Sequence, residues 1–78
     1  MITAEKVKGY ETLGVNTQMF EQFFQNFLNA WGSEARATIK PISVGLRRDK
    51  ANGPYLKFVY RIYGYKEWAH VKSPTTWY

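Results

Sequence analysis

The sequence predicts an α+β fold, with an N-terminal helical segment packed on a three-stranded antiparallel sheet and one small domain spanning residues 1–78. Three observations carry this expectation. Apolar residues recur every three or four positions in the first half, they alternate with polar ones in the second, and glycine-containing turn signals separate the alternating runs. A chain of 78 residues buries only about 60% of its unfolded surface, so its large rings must supply much of the core.

The first half reads as helical. In NTQMFEQFFQNFLNAWG, Met19, Phe20, Phe23, Phe24, Phe27, Leu28 and Trp31 fall on one face, and Gln18, Glu21, Gln22, Gln25, Asn26 and Asn29 on the other. The main helix is therefore expected over about residues 17–31. A side-chain oxygen of Asn16 or Thr17 can accept a hydrogen bond from a free first-turn amide, and Gly32 suits the left-handed residue that ends helices. A shorter helix is expected over residues 4–12, with Val7 and Leu13 inward and Gly14 as its break, although Gly9 weakens it. The phenylalanine row reads as core. Its polar face has no basic residue to attract anionic lipid or nucleic-acid phosphate, and Glu21 would oppose the latter, which argues against a membrane-lying helix and a helix-turn-helix alike.

The second half reads as strands. In TIKPISVGLRR, residues 38–48, Ile42, Val44 and Leu46 share one face; in YLKFVYRIY, residues 55–63, Leu56, Phe58, Tyr60 and Ile62 do so. A two-residue Asn52-Gly53 turn would set core positions against polar ones. A three-residue loop, Ala51-Asn52-Gly53 with Gly53 left-handed, instead places Leu46, Val44 and Ile42 opposite Phe58, Tyr60 and Ile62. A Gly64-Tyr65 turn then pairs Tyr63 with Lys66, Arg61 with Trp68, Val59 with His70 and Lys57 with Lys72, adding Ala69 and Val71 to the core. The tail beyond Pro74 is free to add a short strand or to fold its rings over the core, because a Trp77-Tyr78 pair is too apolar to be indifferent to burial.

The opposite sheet face then collects the candidate site: Arg47, Lys57, Arg61, Tyr63, Lys66, Trp68, His70 and Lys72, with no carboxylate among them. Opposed like charges, Arg47 with Lys57 and Lys57 with Lys72, cost roughly a few tenths of a kcal/mol each, a cost that a bound anion reverses. Exposed rings interleaved with cations are what single-stranded nucleic acid requires, because rings stack on any base and cations follow the backbone. The bland alternative is Arg61 stacked on Trp68 as an internal cation–π pair, with the lysines as ordinary solvated residues.

Composition narrows the function classes. Residues 1–34 hold two basic and four acidic residues, a net charge of −2, whereas residues 35–78 hold nine against two, a net charge of +7. That asymmetry points to a polyanion, an acidic protein or an anionic membrane surface, although a basic half also simply keeps a small protein soluble. No cysteine is present and His70 is the only histidine, so no thiolate nucleophile or imidazole cluster for a metal can be assembled. The carboxylates are scattered and no glycine-rich loop follows a strand, so neither an enzyme nor a cofactor is expected. No apolar run approaches the roughly 20 residues of a spanning helix, and MITAEKVKGY lacks a signal-peptide core, so the expected location is the cytoplasm, away from membranes. The leading expectation is a non-enzymatic nucleic-acid-binding protein. The alternative is a small inhibitor or adaptor of the kind phages and mobile elements encode, which uses the same face against a host nucleic-acid-processing protein or other acidic partner. Self-association as a homodimer through that face or an exposed edge is a third option.

Overall fold

The computed structural model describes residues 3–51 and 53–78. Three short 3₁₀ turns, Ala4–Lys6, Tyr10–Thr12 and Gly14–Asn16, lead into helix α1, Thr17–Asn29, followed by a short helix α2, Ser33–Thr38. Four strands complete the chain: β1, Lys40–Asp49; β2, Gly53–Ile62; β3, Tyr65–Ser73; and β4, Thr76–Trp77. They form one sheet in the order β1-β2-β3-β4, every pair antiparallel. The fold is therefore α+β with one sheet of four strands, where three were expected.

The expected helix over residues 4–12 is replaced by 3₁₀ turns. Gly9 has φ +96°, and a side chain there would run into the Val44 carbonyl, so this segment turns sharply where it meets β1. The Lys8 carbonyl accepts a hydrogen bond from Val44 N–H at 2.8 Å, which fixes the N-terminal segment along the β1 edge. Ala4, Val7 and Leu13 are buried beneath it.

Helix α1 ends two residues earlier than expected. Asn16 makes no side-chain capping bond, and Gly32 has φ −64°, which is not left-handed, because it leads directly into α2. The apolar face behaves as its spacing predicts: Phe20, Phe23, Phe24 and Phe27 are buried. Phe58 of β2 sits beneath them, with ring centroids 5.6, 5.6, 5.9 and 5.5 Å from Phe20, Phe23, Phe24 and Phe27. All four pairs are tilted or edge-on, the geometry favoured by ring quadrupoles. Tyr60 extends the cluster at 4.9 Å from Phe27, and burial, with the Glu67 carboxylate adding to it, raises its hydroxyl pKa above the ordinary 10.0.

Both hairpin registers differ from expectation by two residues. Asp49 closes against Gly53, so Val44 faces Phe58, Leu46 faces Leu56 and Arg47 faces Tyr55. The Asp49 carboxylate accepts the Ala51 N–H at 2.9 Å, starting the turn one residue sooner, and Gly53, with φ +76°, resumes the ladder as the first residue of β2. Asn52, expected in this loop, lies outside the described residues. In the second hairpin the turn is Tyr63-Gly64 instead of Gly64-Tyr65, with φ +50° and +81°, and Ile62 closes against Tyr65. Two consecutive left-handed residues match the twist of the flanking strands. A shift of two preserves which face each residue occupies. The core assignments therefore survive, although Leu46 is 45% exposed and Ile42 lies at a bulge between Pro41 and Ser43.

The tail does both things open to it. β4 pairs with β3, Trp77 faces Val71, and the Trp77 indole packs edge-on against Phe23 at 5.2 Å. Asn26 of α1 donates its side-chain amide to the Pro74 carbonyl at 2.9 Å, tying the turn before β4 to the helix.

Candidate nucleic-acid interface

With α1 covering one sheet face, alternation turns Lys57, Val59 and Arg61 of β2 and Lys66, Trp68, His70 and Lys72 of β3 to the other. Trp68 is 47% exposed, whereas Phe58 is 0% exposed, so the outward and inward assignments of the two rings hold.

The pairings within the face are not those expected. Arg61 faces Lys66 instead of Trp68, Trp68 faces Val59, and Lys57 faces His70 instead of Lys72. The anticipated Arg47–Lys57 and Lys57–Lys72 oppositions are absent, because Arg47 faces Tyr55. The cation beside Trp68 is Lys57, its Nζ 4.7 Å from the indole centroid, in place of Arg61. Arg61 instead donates to the Gly64 carbonyl at 3.2 Å. Tyr63 lies in the turn instead of on the ladder, its N–H donating to the Thr38 hydroxyl at 3.0 Å.

The eight candidates thus form two groups. Arg61, Tyr63 and Lys66 gather at the β2–β3 turn. Trp68 and His70 belong to a ring cluster that the sequence reveals only in part, and Arg47, Lys57 and Lys72 border it. His70 is its centre: its ring centroid lies 4.6 Å from Tyr55, 4.3 Å from Trp68 and 5.0 Å from Tyr78. His70 and Tyr78 are held in that stack by reciprocal backbone hydrogen bonds of 2.8 and 3.1 Å. Tyr55 was detectable from its outward parity in YLKFVYRIY, but Tyr78 depends on β4, which no local pattern announces.

The result is a continuous aromatic strip across β2, β3 and the chain end, bordered by cations. Arg47 donates to the Leu46 carbonyl at 3.1 Å and Lys72 to the Pro54 carbonyl at 3.3 Å, bonds that orient both side chains. Among the described residues, the one carboxylate on this side by register is Asp49, at the hairpin end of β1 and bonded to Ala51. No cluster of metal-ligating side chains occurs among the described residues, and no described helix is long and apolar enough to cross a membrane. No family model, curated protein or solved structure matches the chain.

Proposed function

We propose that the open sheet face binds single-stranded nucleic acid, with bases against Trp68, His70, Tyr55 and Tyr78 and the sugar-phosphate backbone followed by Arg47, Lys57 and Lys72. The observation that carries this reading is the ring strip centred on His70, continuous across neighbouring strands and bordered by cations. Rings offer every base a stacking surface, so the binding is sequence-tolerant. Arg61 and Lys66 at the turn extend the positive surface for a longer strand, and Tyr63 adds an exposed ring there. Binding, not catalysis, is the proposed activity, because His70, the one imidazole, packs among three aromatic rings.

The test is fluorescence titration with unrelated single-stranded oligonucleotides, ribo and deoxy, at several salt concentrations. With about five phosphate contacts, log affinity should fall with log salt at a slope near −3.5. A second reading draws on Lys57, which already covers part of Trp68 and leaves a preordered Tyr/Trp/cation surface resembling a protein-interface hot spot. In that reading the chain is an inhibitor or adaptor that engages a nucleic-acid-processing protein. Absence of oligonucleotide binding at low salt would eliminate the first reading and leave the second.

A further inference from the structure

Beside the ring strip lies a concavity of about 400 Å³, whose lining includes Lys8, Gly9, Gly45, Arg47, Lys57 and Val59. We infer that it seats the terminal phosphate of a bound single strand; the inference rests on the nucleic-acid reading and extends it to recognition of a strand end.

The sheet register supplies the path. Gly45 faces Lys57, Lys57 faces His70, and His70 bonds to Tyr78, so these four positions form one row across the sheet. Strands lie about 4.8 Å apart, so the row from Tyr78 to Gly45 spans about 14 Å. That length suits two or three bases laid on an aromatic sheet. Lys57 belongs to both features: its Nζ lies over Trp68 and its side chain lines the concavity.

Beyond Gly45 the row is closed. The N-terminal segment runs along the β1 edge, with a Lys8–Ser43 bridge, the Val44 N–H bonded to the Lys8 carbonyl at 2.8 Å, and Gly9 against the Val44 carbonyl. A strand that follows the row from Tyr78 meets this wall and must end or turn away. The site at the wall suits a doubly charged end group. Three cations, Lys8, Arg47 and Lys57, line it, and no Asp or Glu is among its described lining residues. Gly9 and Gly45 add no side chain to fill the space. The absent side chain at Gly45 also lets the Arg47 guanidinium lie close above the backbone, where a Cβ would stand 3.1 Å from its Nη1. The guanidinium spends one Nη1 hydrogen bond on Leu46 and has further N–H groups for a phosphate. A terminal monoester carries up to about two charges against one for an internal diester, so a concavity lined by three cationic residues favours the end.

The experiment is competition binding at low salt with short strands, ribo and deoxy, identical except for a 5′-phosphate, a 3′-phosphate or hydroxyls at both ends. One phosphorylated form should bind about tenfold more tightly than the hydroxyl-ended strand. Arg47→Gln and Lys8→Gln should each bring that ratio close to one, whereas Lys6→Gln, the same charge change outside the concavity, should preserve it. Melting temperatures establish that all three variants are folded. Equal affinity for the three ends with binding intact overturns the terminal seat and leaves the sheet-face reading standing, as does a preference that survives both Arg47→Gln and Lys8→Gln. Failure of every strand to bind overturns both.

Discussion

At the scale of single residues, Phe58 and Trp68 test the two faces in opposite directions. Phe58 is fully buried against four helix rings, so Phe58→Ala should lower stability by about 3–5 kcal/mol, read from thermal melts. Trp68 packs against His70 and Lys57 but is half exposed, so Trp68→Ala should change the melt little and weaken oligonucleotide binding by about 1–3 kcal/mol. A Trp68 variant that melts far below wild type would mean that the ring serves the fold. Tyr60 gives a pH signature. Burial raises its folded pKa above 10.0, so the folded state holds the phenolic proton more tightly than the unfolded chain. That contribution is complete below pH 10.0 and is lost as pH rises through the higher folded value. Stability measured between about pH 9 and about pH 11 should therefore decline, and Tyr60→Phe should flatten the decline.

At the scale of elements, the β2–β3 hairpin contains a local conflict. Tyr63 holds φ +50°, a left-handed conformation that disfavours a bulky side chain by about 1–2 kcal/mol. The adjacent Gly64, at φ +81°, adopts it without strain. The conflict is tolerated because two consecutive left-handed residues match the twist of the flanking strands, and because Thr38 at the end of α2 accepts the Tyr63 N–H. Tyr63→Asn should accordingly stabilise the fold by about 0.5–1 kcal/mol in denaturant titration, since asparagine tolerates this region and the lost ring is mostly exposed. Destabilisation by that substitution would show that the ring contributes packing beyond what its exposure indicates.

At the scale of the whole molecule, one helix layer and one sheet face share the core, and β4 connects that core to the binding surface. Trp77 points into the phenylalanine cluster while its neighbour Tyr78 points outward onto His70. Trp77→Ala should therefore act twice: it should reduce stability by about 2 kcal/mol, less than for a fully buried ring, and it should weaken oligonucleotide binding at temperatures where the fold persists, because Tyr78 is no longer held in the stack. Unchanged affinity in a folded Trp77 variant would remove Tyr78 from the proposed surface.

The sequence by itself determined most of the residues that lie inside, with Leu46 the exception that is exposed and Ala4 and Ile39 buried unannounced. The three-and-four spacing of Phe20, Phe23, Phe24 and Phe27 and the alternation around Phe58 and Val71 specify buried faces, because burial depends on the direction of each side chain and direction follows backbone period. The outward side of Lys57, Trp68, His70 and Lys72 was legible for the same reason. Tertiary structure decided the neighbours. Alternation is unchanged by a shift of two residues, so it could not distinguish the expected Arg61–Trp68 pair from the observed Val59–Trp68 pair; the left-handed Tyr63-Gly64 turn made that choice, as the Asp49 carboxylate did for the β1–β2 register. The helix expected over residues 4–12 yielded to the close approach of Gly9 to β1, a contact between segments far apart in the chain. The fourth strand has two residues and no periodicity of its own, and it forms where Trp77 docks on Phe23 and Asn26 holds Pro74. The aromatic strip centred on His70 and the basic concavity beside Gly45 both depend on these long-range contacts, so their residues were visible in the sequence while their association was not.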